Sequence, residues 1–223
     1  NLILAFDRNM ERVLRAIESK KNSFSTPPIG PLGMHVTIRE GFEKWARPIQ
    51  RVISGTLNSF VVANSQDNKL LKQIFISCGI KSNFNVITYK LTNFNYNHGK
   101  AKTEHPCIVD ALEFSSRELE CLFVDQSRIE KILLIEDKNE ARDALKKRSR
   151  NVIMALSLKN ARSGFQSSLS SYDGFRIDTI DYQDKMKMKT KSSDDGTKYL
   201  KDLINEERHE LERTKVHYDQ LFN

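Results

Sequence analysis

A mixed α/β (α+β) core flanked by an antiparallel pair of coiled-coil helices is what this sequence predicts, on three observations. Short apolar runs of strand type alternate with helical spacing through the middle of the chain. Each end carries apolar residues at 3- and 4-residue steps. Capping and turn residues punctuate the joins between segments. The boundaries fall at 1–24 for an N-terminal arm segment, 25–191 for the globular part and 192–223 for a C-terminal arm segment.

The N-terminal segment places Ile3, Phe6, Met10, Val13 and Ile17 at the a/d positions of a coiled-coil seam, with Asp7, Arg8, Glu11, Arg12, Arg15 and Glu18 between them. The C-terminal segment repeats the pattern through Leu200, Ile204, Glu207, Leu211, Thr214, Tyr218 and Leu221, with Glu207 and Thr214 weakening it. Ser192 to Gly196 (Ser-Ser-Asp-Asp-Gly) supplies capping side chains and a break ahead of this last helix. Helices of about 24 to 27 residues would run roughly 36 to 40 Å, lengths matched well enough to pair antiparallel with both chain ends leaving at one side. The alternative is that each is an amphipathic helix packed on the core.

Between the arms, Pro27 to Gly33 is a turn-rich entry. Trp45, Ile49, Val52, Ile53 and Leu57 have helical spacing, and Pro48 requires the helix to start near Arg47 or to kink there. Phe60 to Ala63 reads as a buried strand, and Leu70, Leu71, Ile74 and Phe75 mark a helix ended by Gly79. Val86 to Tyr89 is strand-like. Ser115-Ser116-Arg117-Glu118 has a capping-box pattern and opens a helix through Leu119, Leu122 and Phe123. Ile132 to Ile135 is a third apolar strand. Asp137 to Glu140 repeats the capping pattern ahead of Ala141 to Leu145, and the stretch from Asn151 to Lys191 turns β-rich.

The 223 residues suffice for one domain with extensions or two small ones. No apolar run is longer than that of Leu2 to Phe6, which is far too short to cross a bilayer as a helix. A start at Asn1, with no basic region ahead of an apolar stretch, reads as an excised fragment without a secretory signal. Cys78, Cys107 and Cys121 have no metal-like spacing and read as free thiols in a reducing compartment.

Catalytic signals are sparse. No Gly-x-x-x-x-Gly-Lys-Ser/Thr loop is present, and Gly30-Pro31-Leu32-Gly33 lacks the third glycine and preceding strand of a dinucleotide site. His98, His105, His209 and His217 read as solvated loop or helix residues, and His35 as a packed or edge histidine. No His/Cys set has zinc spacing, so no cofactor or metal is expected. One set imitates a metal-dependent nuclease, because Asp125, Glu136 and Lys138 offer two carboxylates and a lysine. That reading needs the acids on adjacent strands, and Asp137 already serves as a helix N-cap.

Charge is more informative. The net charge of +7 favours an anionic partner. Lys146, Lys147, Arg148 and Arg150 lie in a basic stretch from Arg142 to Arg162 in which Asp143 is the one acid. Lys185, Lys187, Lys189 and Lys191 alternate with other residues, which on a strand would line four ammonium groups along one face for phosphate contacts. A solvated edge strand whose lysines block aggregation is the competing use. Tyr172, Phe175 and Tyr182 nearby are candidates for base stacking, with core packing the competing role of Phe175. No bidentate base-reading pattern stands out, so binding would be indifferent to sequence.

Several stretches carry a family resemblance. They are Gly30 to Ala46 (Gly-Pro-Leu-Gly-Met-His-Val-Thr-Ile-Arg-Glu-Gly-Phe-Glu-Lys-Trp-Ala), Ile49-Gln50, Thr56 to Val62, His105 to Leu112, Cys121 to Arg142 around Leu134-Ile135-Glu136-Asp137-Lys138-Asn139-Glu140-Ala141-Arg142, and Asp178 to Lys189. Together they resemble the hinge domain of the structural maintenance of chromosomes (SMC) family, protein 6 branch, of budding-yeast type. The resemblance covers nearly the whole chain, and it implies that the flanking heptads are the hinge-proximal ends of a long arm leading to a distant ATPase head. It also implies pairing with the hinge of structural maintenance of chromosomes protein 5, and DNA association at the hinge. The setting it implies is a nuclear, chromosome-bound complex for recombinational DNA repair and replication-fork maintenance. Other hinges of the family carry a glycine-rich run at the dimer interface. Here only Gly164 and Gly174 stand between Ser163 and Phe175, which makes Gly164, Phe165, Gly174 and Phe175 the candidate contact. Two further readings stand beside this one: a purely architectural hinge without DNA binding, and the metal-dependent nuclease.

Overall fold

Two strand–helix–strand units and a small third sheet make up the globular part. The structure, a computed structural model, describes residues 2–80, 84–160, 162–170, 174–182 and 185–191, together with Arg208, Glu212 and Lys215. Its helices are α1 (Ile3–Phe6), α2 (Met10–Ser19), α3 (Ala46–Leu57), α4 (Ser65–Ser77), α5 (Ile108–Ala111), α6 (Arg117–Ser127) and α7 (Lys138–Lys146). Its strands are β1 (Val36–Ile38), β2 (Phe60–Val62), β3 (Val86–Thr88), β4 (Leu112–Phe114), β5 (Ile132–Leu134), β6 (Met154–Leu158), β7 (Ser163–Ser170), β8 (Gly174–Asp181) and β9 (Lys189–Thr190).

In the first unit, β2 and β3 pair in parallel around α4. Asn64 caps that helix by accepting from the backbone N–H groups of Gln66 and Asp67. Gly79, at φ +72°, closes it: Ile80 N–H reaches back to Phe75 O and Gly79 N–H to Ile76 O. In the second unit, β5 and β6 are parallel around α7, and β7 and β8 extend the sheet antiparallel in the order β5-β6-β7-β8. Asp137 caps α7 through the N–H groups of Asn139 and Glu140, as its spacing predicts. The third sheet, β4-β1-β9, ties the end of the described globular part back to its start. Pro48 is the third residue of α3, in the first turn, where its missing N–H costs nothing.

The N-terminal arm corrects the sequence reading. A continuous helix is expected there, yet α1 and α2 hold 4 and 10 residues and are separated by Asp7 in extended conformation. The side-chain oxygen of Asp7 accepts from Asn9 N–H at 2.7 Å and so breaks the helix. Phe6, Met10, Val13 and Ile17 are all buried, together with Phe24, Phe60, Val62, Leu71, Ile74, Phe75, Cys78 and Val86. The apolar face of α2 is therefore spent on α4 and the β2–β3 sheet, the second of the two readings above. Ile3 packs on the same cluster, half-buried. The C-terminal seam residues Leu200, Ile204, Leu211, Tyr218 and Leu221 lie outside the described residues. Arg208, Glu212 and Lys215 are helical and exposed, each one position beyond a seam position.

Close backbone approach explains Gly33. A Cβ there would stand 2.2 Å from the carbonyl oxygen of Lys187 and 2.9 Å from the ring of Phe6. Gly33→Ala is expected to destabilise the fold by about 2 kcal/mol, a fall of about 4 to 8 °C in Tm. A thermal melt with unchanged Tm would contradict this packing.

Candidate functional site

The lysine-rich segment 185–191 is only briefly a strand. β9 runs parallel to β1, with Lys189 opposite Thr37 and Thr190 opposite Ile38. Ahead of it, the buried side chain of Gln50 clamps the backbone, donating to Lys185 O at 2.8 Å and accepting from Lys187 N–H at 2.6 Å. Met188 is buried and Met186 half-buried against the core, so the alternation does turn the methionines inward. The expected row of four free ammonium groups is not what results. Lys187 folds back: its Nζ donates to Asn58 Oδ1 at 2.9 Å and stands 5.7 Å from the Phe6 ring centroid. Burial pushes its pKa below the usual lysine value. Lys191 pairs with Glu113 at 2.5 Å, and that hydrogen bond holds the Glu113 carboxyl below its ordinary range. Lys185 and Lys189 are exposed. Burial and then the nearby Lys189 charge lower the pKa of His35, whose Nδ1 lies 3.2 Å from Ser115 Oγ.

The basic turn after α7 keeps its cations at the surface. Lys146, Lys147, Arg148 and Arg150 are all exposed at the C-terminal end of the helix, where cations complement its dipole. Asp143 is shared between Arg142 at 3.4 Å and Lys146 at 3.8 Å. The turn is held firmly. Arg148 and Asn151 adopt left-handed φ values of 49° and 67°, and Asn151 Nδ2 donates to the carbonyls of His98 and Lys100. Lys102 N–H donates to Arg150 O at 3.0 Å, which brings an exposed lysine from a distant loop beside the turn. Local charge counting missed Lys102, because its neighbourhood is created by these long-range hydrogen bonds.

Gly164, Phe165, Gly174 and Phe175 come together on the β7–β8 hairpin, in which Gly164 pairs with Ile180, Phe165 with Thr179, and Leu169 with Phe175. Gly164 is a buried structural glycine: a Cβ there would stand 2.1 Å from the Tyr182 hydroxyl and 2.6 Å from Ser157 O. Its reason to be glycine lies within the chain. Phe165 is half-buried beneath Lys138 and Lys159, and Phe175 packs half-buried against the core. Gly174 is exposed and opens β8 at φ +77°. Among the described residues nothing pairs with the outer side of β8, an eight-residue edge. Arg176, Ile177 and Thr179 on that strand are therefore surface candidates that glycine-centred reasoning overlooked.

The nuclease set is not assembled in the way that reading needs. Asp125 lies on α6 and accepts from Gln126 Nε2 at 3.0 Å, Glu136 accepts from Lys44, and Lys138 lies over Phe165. Among the described residues no three His, Cys, Asp or Glu side chains are grouped to hold a metal. All three cysteines are free and buried. Burial, then the carboxylate of Asp110, pushes the Cys107 thiol up to about 12. His209 and His217 lie outside the described residues.

No family model matches this sequence. The chain is 58% identical over 219 residues to structural maintenance of chromosomes protein 6 of Saccharomyces cerevisiae, covering 98% of this chain and 19% of that protein. It is 29% identical over 175 residues to the protein of the same name from Schizosaccharomyces pombe, covering 78% of this chain and 14% of that one. The chain thus spans less than a fifth of the length of these curated relatives. The crystal structure of the S. pombe Smc5/6 hinge domain superposes with a TM-score of 0.75 at 27% identity, covering 85% of this chain and 71% of that one. Mixed helices and sheets in the arrangement of that hinge, with a sequence aligned along nearly its whole length to one protein, place the chain in the structural maintenance of chromosomes family as a hinge domain of the protein 6 type.

Proposed function

We propose that this hinge pairs with the hinge of structural maintenance of chromosomes protein 5 and holds DNA through phosphate contacts without reading its sequence. The observation that carries the pairing is the open edge of β8: an eight-residue strand that pairs with β7 on one side and, among the described residues, with nothing on the other. An exposed edge of that length invites strand addition by a partner. The likeness to a hinge whose name joins Smc5 and Smc6 supports the choice of partner. DNA binding rests on the rigid cation cluster of Lys146, Lys147, Arg148, Arg150 and Lys102, with Lys185 and Lys189 as a second exposed group.

In this reading the chain itself carries out no reaction. The arms lead out to a distant ATPase head, and the complex works on nuclear chromosomes in recombinational repair. A purely architectural hinge is the second reading, favoured by the internal engagement of Lys187 and Lys191. Measuring the mass of the chain alone and mixed with the partner hinge tests the pairing. Retention on DNA at low salt separates the two readings.

A further inference from the structure

The opposite end of α7 holds an arrangement the pairing reading does not use. Lys138 begins α7, and Lys159 directly follows the last residue of β6. Because α7 joins two parallel strands, it runs back against β6, and these two residues meet at the same end of the unit. Between them on β7 lies Phe165, opposite Ser157. The Nζ of Lys138 is 4.6 Å from the ring centroid, and that of Lys159 is 5.7 Å from it.

A ring face attracts an ammonium group but does not neutralise it. Two like charges gathered on one ring repel each other, and no carboxylate among the described residues pairs with either. The nearby acids are otherwise engaged or distant in role: Glu136 accepts from Lys44, one oxygen of Asp137 caps the helix, and Asp143 is shared by Arg142 and Lys146. Glu140 is exposed on the helix. Elsewhere cations close to acids find them, as Arg176 does with Asp178 at 2.8 Å. A pair of cations held in place and left uncompensated suits a polyanion.

We infer that Lys138 and Lys159, held over Phe165, form a second phosphate-binding point for nucleic acid, at the other end of α7 from the Lys146–Arg150 turn. This rests on the DNA-binding reading above and extends it. The helix has nine residues, so its two ends stand about 12 Å apart at ~1.5 Å per residue. A nucleic-acid backbone lying along α7 meets cations at both ends; of the exposed acids on the helix, Asp143 is shared by Arg142 and Lys146, and Glu140 remains to repel it.

The test is a titration of labelled duplex and single-stranded oligonucleotides of mixed sequence, across a range of salt, with the unaltered chain and the Lys138→Gln/Lys159→Gln double variant. Loss of two contacts is expected to make the slope of log affinity against log salt shallower by about 1.4 to 1.8, and to cost tenfold or more in affinity at about 50 mM salt. The melting temperature should hold, since both changes are at the surface. Identical slopes for the two proteins would overturn the inference. So would an unchanged slope together with weaker association with the partner hinge, which would assign the two lysines to the protein interface. Failure of the unaltered chain to bind at low salt would instead remove the DNA-binding reading, and the inference with it.

Discussion

Val13→Asp is expected to unfold the hinge rather than loosen an arm. Val13, on α2, is fully buried in the cluster with Leu71, Ile74 and Phe75. An unpaired carboxylate there costs several kcal/mol, on top of the packing lost with the valine. Domain stabilities of about 5 to 15 kcal/mol leave little margin for such a loss. The expected result is disappearance of the cooperative melt or insoluble protein, while Arg12→Ala, one residue away and exposed, shifts Tm by no more than a degree or two, about 0.5 kcal/mol. A Val13→Asp protein that melts as the unaltered chain does would mean that α2 belongs to an arm independent of the core.

Reversing the charges of Lys146, Lys147, Arg148 and Arg150 to glutamate is the second large effect. All four are exposed at one turn and none is committed to the core. Removing four cations and adding four anions should lower DNA affinity by about 100-fold or more at low salt, and make its salt slope shallower by about 3. Reversing Lys185 and Lys189 should cost less, because only two exposed cations are involved. Lys187 is a poor probe of binding. Its removal strips a hydrogen bond from Asn58 and a cation from the Phe6 ring, so any effect mixes binding with stability. Lys191 has the same drawback through Glu113. Equal binding by the four-fold variant, checked by fluorescence anisotropy, would move the DNA surface away from α7.

Elements whose signals are local were legible in the sequence. Phe60 to Val62 and Ile132 to Leu134 are apolar runs bounded by capping residues, and they form β2 and β5. Gly79 and Asp137 mark helix ends because only nearby backbone decides their roles. β4 and α5 carry no signal of their own, since three or four residues show no period. The capping pattern at Ser115 and Ser116 was right in kind, with Ser116 as the capping residue. At the N-terminal segment two readings share one signal: an a/d seam and the buried face of a short core helix present the same spacing. What separates them is the partner, here α4, about sixty residues along the chain.

The site was less legible than the fold. Alternation predicts which way Met188 turns, but not that Asn58 and Phe6 would capture Lys187 from across the chain. Gly164 invited a reading as an interface glycine, while Tyr182 and Ser157 supply the crowding that requires it. Phe165 gave no sign of its two lysines, because Lys138, Lys159 and Phe165 come from α7, the end of β6 and β7. In each case the missing information is a long-range contact.

The pairing of hinges is the central claim, and the mass of a mixture tests it most directly. Light scattering after size exclusion, on this chain mixed in equal amounts with the hinge of structural maintenance of chromosomes protein 5, should give a single species with the summed mass of one copy of each. A mixture that elutes as two separate species, at concentrations well above micromolar, would contradict it.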